Sequence, residues 1–64
     1  MKTYSIEMPR NNRAEMFMGW MNAHGITFES SAIKGGFVHL SISLAPAQVD
    51  AVNDALDEIV WKED

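Results

Sequence analysis

The sequence predicts an α+β fold in the order β-α-β-β-α. Three strands form an antiparallel sheet in the order 1-3-2, and two helices cover one of its faces. Three observations carry this. Apolar and polar residues alternate over residues 3–8 and 37–44, the period of a half-buried strand. Apolar residues recur at helical spacing as Ala14, Phe17, Met18 and Met21, and again as Val49, Val52, Leu56 and Ile59. A Gly35-Gly36 pair separates the second and third strands, and glycine reaches positive φ at no steric cost.

In the first strand Tyr4, Ile6 and Met8 face inward, and Thr3, Ser5 and Glu7 face outward. Pro9 ends it. Asn11 or Asn12 then caps a helix, because a short side-chain carbonyl accepts from a free backbone N–H. That helix runs to about His24, where Gly25 supplies a left-handed stop. The second strand covers 26–34, with Ile26, Phe28 and Ser30 inward, and the glycine pair makes a tight hairpin. In the third strand Val38, Leu40, Ile42 and Leu44 share the core face, opposite Phe37, His39, Ser41 and Ser43. Pro46 suits the first turn of a second helix over about 46–61, and Gln48 helps cap that turn. Ala55 and Val60 flank its core stripe.

A right-handed crossover makes the first and second strands parallel, and the hairpin turns the third antiparallel to the second. The third strand therefore sits between them. The topology resembles a ferredoxin-like arrangement lacking its last strand, a likeness that carries no function. Both the first and second strands are then free edges, which invite pairing with another chain.

The 64 residues make one small domain, 1–64, without an internal linker or repeat. A domain of this size buries only about 60% of its unfolded surface and gains from a partner or oligomer. The absence of cysteine excludes a disulfide framework and a thiolate metal site. The N-terminus alternates instead of carrying the apolar core of a signal peptide, and no apolar run approaches a membrane span. A cytoplasmic protein is expected.

Charge is unevenly placed. The net charge is −4, yet residues 50–64 carry six acids against Lys62, and residues 1–49 carry four bases against three acids. A net negative domain repels phosphate, so nucleic acid is an unfavoured partner, as is anionic lipid. Asp50, Asp54, Asp57 and Glu58 form an outer face of the last helix. They lack the alternating oxygen ligands around a glycine turn that calcium requires, so the expected reading is a solvated acidic face, whose functional use would be to meet a basic protein partner.

The first helix carries a second candidate surface. Met16 and Trp20 lie one turn apart, away from the core stripe, with Arg13 beside them. Met and Trp concentrate at interface hot spots. The alternative is that Trp20 folds over the helix edge and packs under a neighbouring loop. Trp61 either closes the bottom of the core or joins an interface.

Catalysis finds no support. Ser41 and His39 share a strand face with Glu29 across the hairpin, but a flat sheet offers neither pocket nor oxyanion hole. Two histidines do not make a zinc site. The glycine pair lacks phosphate-loop spacing. Gly36-Phe37-Val38-His39-Leu40 is similar over five residues to the third-strand motif of RNA-recognition modules, which implies that Phe37 would stack a base. Gly35 and Leu40 stand where that motif has aromatics, and Ser5 replaces the aromatic of the first strand.

The expected function is that of a non-catalytic protein-binding module that modulates or inhibits a partner protein, of the inhibitor, antitoxin or virus-encoded host-modulator type. It is expected to need no cofactor and to form a homodimer through a free strand edge. The alternative is a small-ligand-binding regulatory domain formed at a homodimer interface. RNA binding on the open sheet face ranks third.

Overall fold

The structure, a computed structural model, describes residues 1–62. Glu63 and Asp64, the end of the acidic tail, lie outside the described residues. The elements are β1 (Lys2–Pro9), α1 (Asn12–Ala23), β2 (Thr27–Ile33), β3 (Phe37–Leu44) and α2 (Pro46–Ala55), with a π-helical turn over Leu56–Val60. The sheet order is β1-β3-β2, and both pairings are antiparallel, as expected.

Each boundary has a local chemical cause. The Asn11 side chain accepts from the N–H groups of Arg13 and Ala14, at 3.0 and 3.2 Å. This satisfies two of the donors that every helix start leaves open. At the other end Gly25 takes φ +70°. Its N–H reaches the Asn22 carbonyl at 3.2 Å, and the Ile26 N–H reaches that of Met21 at 2.9 Å. These two bonds form a Schellman motif, whose usual apolar clasp here joins Ile26 and Met21, both buried. Ile26 thus enters the core through the helix stop, one residue before β2 begins.

The hairpin loop has three residues, since Ile33 pairs with Phe37. Gly35 and Gly36 sit at φ +82° and +74° within it. The Gln48 side-chain oxygen accepts from the Ala45 N–H at 2.9 Å, which closes the start of α2.

The core lies between the sheet and the helices. Met8, Phe17, Met21, Leu40 and Ile42 are its largest fully enclosed side chains. Coverage of the sheet is uneven. Tyr4, on the core face of β1, remains 37% exposed. Ser30, expected to point into the core, is exposed. It borders a mixed cleft in which Arg10, Asn11 and Glu15 stand beside Ala14, Met18, Ala32 and Val38, where the start of α1 leaves the far end of β2 uncovered.

The last helix departs most from expectation. It is α-helical only to Ala55, and the Trp61 N–H then bonds the Leu56 carbonyl at 2.9 Å, five residues back. A π turn takes one residue more than an α turn and so rotates the residues beyond it about the helix axis. Val60, expected on the flank, is therefore buried beside Leu56, and Ile59, expected on the stripe, is half-buried. Trp61 is turned outward at 49% exposure and does not close the core.

Candidate functional site

The candidate partner residues fall on α1 and on the last helix, whose π-helical turn packs against α1. Trp20 marks the seam. Sequence spacing places it on the outer side of α1 with Met16, but the structure turns it toward α2. Its ring stacks on Phe17 (centroids 6.1 Å apart, planes 8° apart) and on His24 (4.2 Å, 28°). Phe17 is three residues before Trp20 and His24 is four after, the spacings that meet on a helix surface. The stack is therefore a ladder running from the core to the C-terminus of α1. The His24 Nδ1 donates to the Trp20 carbonyl at 2.8 Å and holds the outer rung in place.

The correction has a simple geometric cause. Trp20 stands on the flank of α1, not opposite its core stripe, and the indole is long enough to reach the neighbouring helix. It packs against the core while keeping one edge in a shallow groove. The groove is lined by Trp20, Ala51, Asp54, Ala55, Glu58 and Ile59. Ala51 and Ala55 are small and leave it shallow, and the two carboxylates line it with the indole.

The two candidate surfaces thus meet: the α1 aromatic and half of the acidic face share one groove. Asp54 and Glu58 line it; Asp50 and Asp57 are also exposed, on the same helix, but do not line it. Met16 is 61% exposed and points away from the core. Arg13 is half-buried, and its guanidinium donates to the Lys62 carbonyl, tying the start of α1 to the segment that follows the last helix. That tie is invisible in the sequence, because the partner is a backbone oxygen 49 residues away.

The open face of the sheet reads off the register. Across β1, β3 and β2 the rows are Ser5–Ser41–Glu29, Glu7–His39–Ser31 and Pro9–Phe37–Ile33. Glu29 is opposite Ser41, whereas His39 is opposite Glu7 and Ser31. Ser41, His39 and Glu29 are therefore split between two rows. Phe37 is 42% exposed and Ile33 39% exposed, and they form an apolar corner next to Pro9. Glu7 and Glu29 flank the face on which Phe37 would have to stack a base.

No three His, Asp or Glu side chains converge to hold a metal among the described residues, and no described helix is long and apolar enough to cross a membrane. Compared with family models, curated proteins and solved structures, the chain matches none.

Proposed function

We propose that this protein is a non-catalytic binding module that modulates or inhibits a partner protein, of the inhibitor, antitoxin or virus-encoded host-modulator type. The supporting observation is the groove in which an anchored tryptophan faces Asp54 and Glu58. Binding energy concentrates where an aromatic is held rigid, because little side-chain entropy remains to be lost on association. The stack on Phe17 and His24 supplies that rigidity. The carboxylates favour a basic segment, whose Arg or Lys would lie over the indole face while pairing with the acids. Asp50 and Asp57 extend the same negative field and speed encounter. The π turn contributes as well, since it carries Asp57 and Glu58 on a segment whose rotation differs from that of the α-helix before it. In this reading the protein works in the cytoplasm, and as a homo-oligomer joined through a free strand edge.

The test begins with affinity capture from the native host's lysate and continues with the purified partner. Asp54→Lys with Glu58→Lys is expected to weaken binding at least tenfold and to flatten its salt dependence. Glu29→Lys, on the open sheet face, is expected to leave it unchanged. Equal affinity for both variants, or capture of no protein at all, would overturn the reading.

A further inference from the structure

The two free edges of the sheet are not equivalent. Beside β2 the wall between sheet and helix is a mixed cleft, where Arg10, Asn11, Glu15 and Ser30 stand among Ala14, Met18, Ala32 and Val38. Beside β1 it is predominantly apolar and carries no acid. A groove runs from β1 to α2, lined by Tyr4, Ile6, Leu44, Val49, Val52 and Leu56, with Ser5 and Asn53 the polar exceptions. Met1, Lys2 and Pro46 prolong it at the open end, with Lys2 the charged residue there. Among the described residues no strand covers it. This is the position a fourth strand takes when a β-α-β-β-α chain is completed by one more crossover from α2. That strand would lie antiparallel to β1 and drop alternate side chains into the groove.

We infer that a second copy of this chain fills the slot, β1 against β1 about a two-fold axis, so that each copy supplies the other's fourth strand. The inference rests on the reading that the chain pairs through a free strand edge, and assigns that pairing to one edge and one register. A two-fold axis perpendicular to the sheet makes the two β1 strands antiparallel without further adjustment, and the interface is self-complementary. Side-chain parity then restricts the register, because a one-residue slip would turn Tyr4 and Ile6 out of the groove. Centring the pair on Ile6 would bring Pro9, which lacks an N–H, into the ladder. Centring it on Ser5 leaves Pro9 outside and sets Tyr4 of each copy opposite Ile6 of the other. The result is a continuous six-stranded sheet, with the two β1–α2 grooves merged into one shared apolar layer.

The size of the wall sets the strength. An eight-residue strand is about 27 Å long, and with the shortest molecular extent of 16 Å the flat wall is about 430 Å² per copy. Two such walls give about 860 Å², and side-chain relief adds to this, so the contact falls at the lower end of specific interfaces. A dimer that dissociates on dilution through the micromolar range is expected.

The chain has no cysteine, so one introduced thiol reports directly. Ser5 is exposed and lies on the axis of this register, where opposed Cα atoms are about 4.5–5.5 Å apart, within disulfide reach. The experiment compares Ser5→Cys with Ser31→Cys, its counterpart on the β2 edge, under mild oxidation, alongside sedimentation of the unmodified chain over a dilution series. The expected result is a mass of about twice 7.2 kDa at high concentration, with disulfide-linked dimer from Ser5→Cys and none from Ser31→Cys. Tyr4→Arg, which puts a charge into the partner's groove, is expected to sediment as a monomer with unchanged far-UV circular dichroism. A monomer of the unmodified chain at every concentration would overturn both this inference and the edge pairing on which it rests. A dimer that cross-links through Ser31→Cys, or through neither site, would overturn the β1 assignment alone.

Discussion

Replacing Trp20 by alanine separates a tryptophan that only waits for a partner from one built into the fold. The indole is half-buried, stacked on Phe17 and His24, and packed against the core. Truncation would expose or lose about 100 Å² of buried apolar area, worth about 2.5 kcal/mol at ~25 cal/mol per Å². Loss of the ring stacking adds about 0.5 kcal/mol, and residual burial in the unfolded chain removes a similar amount. A net loss of about 2.5 kcal/mol is therefore expected. A 64-residue domain holds roughly 3–10 kcal/mol in total, so this is a large share of its stability. Urea unfolding followed by far-UV circular dichroism measures it, with Met16→Ala as the reference. Met16 is 61% exposed, and its truncation is expected to stay within about 0.5 kcal/mol of the parent. If the two variants unfold at the same urea concentration, Trp20 is not part of the fold and the assignment of the groove fails. Loss of partner binding in Trp20→Ala therefore counts only where the variant is shown to remain folded.

The remaining predictions address the elements one at a time. Asn11→Ala is expected to cost about 1 kcal/mol, because two N–H groups at the start of α1 lose their acceptor; a shift in the urea midpoint with unchanged slope checks it. Gly25→Ala forces a side chain into a left-handed position and is expected to cost about 1–2 kcal/mol, although nothing lies within 4 Å of the added Cβ; a matching drop in melting temperature tests this. Val60→Ser is expected to destabilise more than Ile59→Ser, the reverse of what an uninterrupted α-helix would give, and parallel thermal melts decide between the two. Leu40→Ala removes a fully buried side chain from the central strand, for about 3 kcal/mol, and is expected to leave much of the population unfolded at physiological temperature.

Most of the architecture is legible in the sequence because it rests on interactions between near neighbours in the chain. Alternation in residues 3–8 and 37–44, the Asn11 cap, and the glycines at 25, 35 and 36 each act over a few residues, and each appears where expected. The strand order comes from the handedness of the crossover and from the hairpin, so it too is present in the order of the elements. The departures share one cause. The period of its own element misplaces Ser30 and Val60 and leaves open the side taken by Trp20 and by Trp61, because the environment of each is set by the element across from it.

Sequence alone determined the elements, their order, the identity of the central strand and the uneven charge, since these depend on local periodicity and composition. Tertiary structure alone decided the rest. A turn of π-helix rotated Val60 inward, because the end of the last helix must fit the core between α1 and the sheet. The packing of α1 against the last helix turned Trp20 from an outward residue into the wall of an acidic groove. The placement of α2 also made the two edges of the sheet unlike, one mixed with charged residues and one mainly apolar. Which side of an element is covered depends on contacts between residues far apart in the chain, and no repeat within a single element records them.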